Sequence, residues 1–158
     1  MQYQRGLWLG IIVTAALMAV ACSGKMFTAE GKFVAEDKRI ELSEGGSYQG
    51  SWETIHLTVN YDYLRNEDKL QISGEVLFKR EETLASFHCN LVFISSQGTI
   101  LQITRVTSAP VRQDVSKLSF NRELELPKGT RSMAFSYSGA QGGGRGSGSR
   151  NLFWSDPW

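Results

Sequence analysis

Apolar and polar side chains alternate along much of this chain. In "TIHLTVNYDY", Ile55, Leu57, Val59, Tyr61 and Tyr63 fall on one face, and Thr54, His56, Thr58, Asn60 and Asp62 on the other. A period of two predicts a strand with one face buried. "RNED" supplies a turn, and "KLQISGEVLF" follows with Leu70, Ile72, Val76 and Phe78 in phase. The two segments read as an antiparallel hairpin. "SFHCNLVFI" sets Phe87, Cys89, Leu91 and Phe93 on one face but places Val92 and Ile94 on the other. After "SSQG", "TILQITRV" is also partly apolar on both faces. "KLSFNRELEL" alternates through Leu118, Phe120, Leu124 and Leu126, and "RSMAFSYSG" through Met133, Phe135 and Tyr137.

With a short strand near "RIEL", seven strands are expected and no segment carries a sustained helical period. Val111, Val115 and Leu118 allow at most one helical turn after Pro110. Short strands joined by tight turns point to an all-β, seven-stranded antiparallel β-sandwich, immunoglobulin-like or fibronectin-III-like. An up-and-down β-barrel is the alternative. Val92, Ile94 and Ile100 on a second face would form an exposed patch, so something should cover them.

The ends read differently. Between Gly139 and Gly148 there are six glycines in ten residues, followed by Leu152, Phe153, Trp154 and Trp158. A chain so rich in glycine does not pack by itself. The aromatic end then either folds back onto the sandwich or docks a partner, with fold-back favoured. The glycine run lacks a phosphate-loop pattern and a following helix. Pro157 and the absence of alternation in "NLFWSDPW" argue against an outer-membrane barrel signal.

At the amino end, Leu7 to Ala21 is 15 residues without a charge. As a helix it reaches ~22 Å, short of the ~30 Å hydrocarbon core. Arg5, the apolar run and the small residues Ala19, Val20 and Ala21 fit a cleaved export signal. Cys22 comes next, and "AVAC" followed by "SGK" resembles the lipobox of bacterial lipoproteins, with Ala19 where that family prefers leucine. The resemblance covers only the first 22 to 24 residues. It implies cleavage before Cys22, a diacylglyceryl group on its thiol and acylation of the new amino group. Ser23 in place of aspartate implies outer-membrane sorting in a Gram-negative host. A plain secretory signal, with Cys22 incidental, is the bland alternative. The resulting organisation is a signal peptide over 1–21, a lipidated tether over 22–37, a β-sandwich over 38–139 and a glycine-rich arm with an aromatic end over 140–158.

Charge narrows the partners. The chain has 17 Lys+Arg and 16 Asp+Glu. Removing the signal removes only Arg5, leaving 16 of each and no net charge, so nucleic acid is not expected as a partner. In the mature chain Cys89 is the only cysteine besides Cys22, which excludes an intramolecular disulfide if Cys22 is lipidated. Cys89 falls on an apolar face and reads as a small buried hydrophobe. His56 and His88 lie on polar strand faces without metal-ligand spacing, so neither a metal nor a cofactor is expected. Glu81/Glu82 and Glu123/Glu125 read as solvated charge.

These features lead to a non-catalytic, lipid-anchored envelope protein that binds or supports another envelope component. The membrane is reached through Cys22, and an envelope protein is the possible partner. Trp52, Phe153, Trp154 and Trp158 are the expected contact residues, because aromatic side chains dominate interface energetics. The alternatives are a small-ligand-binding sandwich, or a small envelope hydrolase in which His56 meets Asp62, or His88 meets a carboxylate.

Overall fold

The computed structural model describes residues 29–109, 113–141 and 152–158. The signal segment, Cys22, Val111 and the glycine run from Gly142 lie outside the described residues. The chain is all-β: β1 (Ile40–Glu41), β2 (Ser47–Glu53), β3 (Leu57–Asn66), β4 (Lys69–Ser95), β5 (Ile100–Ala109), β6 (Gln113–Glu125), β7 (Thr130–Gln141) and β8 (Leu152–Ser155). A 3-10 turn, Glu36–Lys38, precedes β1.

β4 organises everything else. Its first limb pairs with β3 from Asn66↔Lys69 to Leu57↔Phe78, and with β6 on the other edge. Its second limb pairs with β7 and β5, also on opposite edges. The register with β6 slips between Leu77 and Glu82, which marks the corner where the strand changes sheets. The result is two antiparallel sheets, β2-β3-β4-β6 and β5-β4-β7, with β1 and β8 both on the outer edge of β7. No closed barrel forms, so the barrel alternative is set aside.

The inner faces meet in one core. Leu57, Val59, Tyr61 and Tyr63 of β3 and Leu70, Ile72 and Val76 of β4 pack against Leu91, Phe93, Met133, Phe135 and Tyr137. Tyr61 meets Phe135 across the layers at 5.2 Å, and Phe78 meets Phe87 at the corner at 4.9 Å. A smaller cluster covers the outer face of the second sheet. Val92, Ile94, Ile100 and Ala134 lie there beneath Ala29 and Val34, with Trp158 packed alongside. Covering the second face removes from water the patch that Val92, Ile94 and Ile100 would otherwise expose.

Several expectations change. Among the described residues, "KLQISGEVLF" and "SFHCNLVFI" are two limbs of one bent strand, and β2 and β8 are strands not expected from the sequence. Residues 113–118, offered as part of a helical turn, are β-strand, because they pair along β4 from Leu84↔Gln113 to Val76↔Leu118. Ile55, expected inside, lies in the β2–β3 loop and is 84% exposed. Residues 29–34, within the expected tether, are tied to the β4–β5 turn. Gly31 and Val34 donate backbone hydrogen bonds to Ile100 and Gly98, and Lys32 accepts one from Ile100.

Three strand glycines sit directly across the ladder from an aromatic residue: Gly50 from Tyr61, Gly74 from Phe120 and Gly139 from Phe153. In each case a Cβ would run into that ring, and at Gly74 also into the Asn60 carbonyl. Ring over glycine is a recognised device for stabilising a sheet where a side chain is missing. Gly139→Ala is expected to displace Phe153, loosen β8 and cost about 1–3 kcal/mol. Urea denaturation checks this, and an unchanged midpoint would show that Phe153 does not lie over Gly139.

Candidate functional site

β1 and β8 share the outer edge of β7 without meeting. β1 registers with Ser132 and Met133, and β8 with Tyr137 to Ala140. Beside this interrupted edge, and facing the β2–β3 loop of the other sheet, lies a cleft of about 550 Å³. Trp52, Thr54 and Ile55 form one wall, and Lys38 to Ile40 with Trp154 to Pro157 form the other. Tyr137 reaches it from β7.

The cleft has a fixed floor and a wet rim. The Trp52 ring is held by Phe135, at 5.8 Å, and by the edge of Tyr137, at 6.0 Å. The Tyr137 hydroxyl hydrogen-bonds His56 Nδ1 at 2.7 Å and Thr54 Oγ1 at 3.2 Å. Thr54 Oγ1 donates to the Leu57 carbonyl and accepts from the Leu57 and His56 amides, which closes the loop on itself. This spacing suits a structural latch: the short polar side chain ties the turn, and the tyrosine ties the turn to the opposite sheet. Burial pushes the Tyr137 phenol above its ordinary range, so it stays protonated at neutral pH. Desolvation likewise raises the Asp156 carboxyl, and Lys32 pulls it partly back.

The expected contact residues divide. Trp52 and Trp154 are brought together in the cleft, and Trp154 is 63% exposed. Phe153 points the other way. It is 7% exposed and packs among His56, Phe87 and Tyr137, so it serves the core. Trp158 lies on the second cluster, with the Lys32 ammonium 5.2 Å from its ring centre. Ile55, Thr54 and Tyr137, which the alternation marks only as strand positions, and Lys38 to Ile40 are cleft residues not expected as contact residues from the sequence.

Among the described residues His56 and Asp62, the pair expected of a hydrolase, are not brought together. His56 bonds a phenol and not Asp62, which lies five strand positions beyond Leu57, ~17 Å along β3. Asp62 lines a separate hollow with Ser47, Gln71 and Asn121. His88 has a buried Nδ1 without a hydrogen-bond partner, and burial plus the nearby Arg105 hold its pKa below the usual value. Cys89 is buried and its thiol is pushed up to about 12, the opposite of a reactive thiolate. Among the described residues no group of three or more His, Cys, Asp or Glu side chains is placed to hold a metal ion.

Two of the exposed large apolar side chains belong to the cleft. The large hydrophobic side chains most open to solvent among the described residues are Phe33, Ile55, Leu152 and Trp154. Ile55 and Trp154 line the cleft itself. Leu152 lies two residues before Trp154 on β8, hence on the same strand face. Phe33 stacks under the guanidinium of Arg39, another cleft residue, at 5.1 Å. No protein-family model, curated protein or solved structure matches this chain.

Proposed function

We propose that the chain is a non-catalytic lipoprotein of the cell envelope, anchored by acyl chains on Cys22, whose cleft face contacts another envelope component. In a Gram-negative host it would sit on the periplasmic face of the outer membrane. The anchor rests on "AVAC", whose Cys22 directly follows an uncharged run too short to span. The contact face rests on one observation: Ile55 and Trp154, two of the most exposed large apolar side chains among the described residues, stand on the walls of one cleft, with Leu152 on the same face of β8 as Trp154. Confinement to one membrane raises the local concentration of any partner on it, so a modest contact area suffices.

We propose an immunoglobulin-like or fibronectin-III-like scaffold, because its antiparallel sheets pack face to face and the cleft lies beside a loop between two strands of one sheet. A strand shared by both sheets is its departure from those folds. A small-ligand reading draws support from the cleft volume, which falls within the range of ligand pockets.

Cys22→Ser tests the anchor. The substituted protein is expected to leave the acylated, membrane-retained pool, as read by metabolic labelling with a fatty acid and by detergent partitioning. Undiminished label and partitioning would overturn the proposal.

A further inference from the structure

We infer that the partner of the cleft face is the lipid surface itself: the domain lies down on the leaflet that holds its anchor, with Ile55, Leu152 and Trp154 entering the interfacial layer. This rests on the lipid-anchor reading above.

The length of the tether points first in this direction. The expected tether runs to residue 37, yet Ala29 is already part of the fold, packed in the second cluster. Seven residue steps separate it from Cys22 (29 − 22), and at full extension they reach no more than ~25 Å. A domain so held stays within ~25 Å of the leaflet, so one face of it is repeatedly presented to the headgroups.

The second argument is which face. The chain enters the fold beside the cleft. Lys32, three residues after Ala29, lies over Trp158 and acts electrostatically on Asp156 in the cleft wall. Phe33 follows, against Arg39. The cleft wall that carries Trp154 and Asp156 therefore stands near the point where the chain enters the fold.

The third argument is chemistry. An interfacial surface combines aliphatic side chains, tryptophan and long cations that reach the phosphates. Trp154 and Leu152 supply the first two on one strand face. Ile55 adjoins Lys79 and Arg80 in a hollow of about 330 Å³, while Lys38 and Arg39 line the cleft. Against these four cations stand Asp37, Glu53 and Asp156, a local balance of +1 (4 − 3). Glu53 is moreover paired with Lys79 at 2.6 Å. With so little net charge, apolar insertion carries the contact, and binding is expected on zwitterionic membranes as well as anionic ones, with little dependence on salt.

The experiment uses the full lipidated protein in phosphatidylcholine vesicles whose acyl chains are brominated, with unbrominated vesicles as the reference. Bromine quenches tryptophans that enter the interface. Wild-type fluorescence should be quenched, and Trp154→Phe should remove most of the quenchable emission. The double substitution Ile55→Ser and Leu152→Ser keeps every tryptophan, and should reduce the quenching by about threefold or more. Flotation with the vesicles should be the same for all variants, since the acyl anchor is untouched.

Normal flotation with unquenched wild-type emission, or with quenching that the double substitution leaves unchanged, would overturn the docking and leave the anchor standing. So would a photocrosslinker at position 154 that joins a protein, a second copy or the chain's own glycine-rich segment in place of lipid. Loss of flotation together with an unmodified Cys22 would instead overturn the anchor.

Discussion

Phe87→Ala is expected to destabilise the domain by about 3–5 kcal/mol. Phe87 is fully buried where the second limb of β4 begins. Its ring meets Phe78 of the first limb nearly edge-on at 4.9 Å, and lies 6.2 Å from both Tyr137 and Phe153. It thus touches both sheets at the corner that joins them. Truncation leaves a void whose walls are fixed by ladders on both edges of β4, so little collapse can offset it. At roughly 2–8 °C per kcal/mol for domains of this size range, the melting temperature should fall by about 10 °C or more. Differential scanning calorimetry measures it. A fall of only a degree or two would mean that the two limbs do not pack through this ring.

Deletion of residues 152–158 is expected to have an even larger effect. It removes four registered positions from the outer edge of β7, from Ala140↔Leu152 to Tyr137↔Ser155. It empties the site of Phe153, and loss of a buried phenylalanine alone costs about 3–5 kcal/mol. It also strips Trp158 from the second cluster, leaving Ile94 and Ile100 less covered. The sum is of the order of the ~5–15 kcal/mol by which such domains are stable. The shortened chain should therefore melt far below the full one, or not fold at 37 °C. Trp154→Ser is the matched control and should leave the melting temperature almost unchanged, because that ring is mostly in water. A shortened chain as stable as the full one would mean that the carboxyl end is a free docking tail.

Where one sheet face is buried, the chain can be read directly. Leu57 to Tyr63, Leu70 to Phe78, Phe87 to Phe93 and Met133 to Tyr137 alternate because water stands on one side and the core on the other, and their inward residues are those found in the core. The apolar second face at Val92, Ile94 and Ile100 likewise signals a cover, and Ala29, Val34 and Trp158 provide it. β2 escapes such reading. "SYQGSWE" has few apolar residues, and its order comes from pairing with β3 along seven positions. Ile55 misleads because the alternation runs on through Thr54 and His56, which form a turn tied by the Thr54 hydroxyl.

The corner in β4 is instructive. "KREETLA" between Phe78 and Phe87 contains neither glycine nor proline. The missing turn signal is itself information: the strand bends and continues instead of reversing. The cleft is legible only in pieces. Trp52 and Trp154 stand out as aromatic residues, but their meeting depends on β1 and β8 both choosing the edge of β7. That choice joins segments about a hundred residues apart, and no local period encodes it. Phe153 and Trp154, adjacent in sequence, part company for the plainest reason: neighbours on a strand point to opposite faces.

The central claim concerns the thiol of Cys22, and intact-mass spectrometry of the protein extracted from membranes tests it most directly. The account predicts a chain that begins at residue 22 and carries the added mass of a diacylglyceryl group, with a further acyl chain on its amino group. A mature chain of bare polypeptide mass, recovered from the soluble fraction, would contradict it.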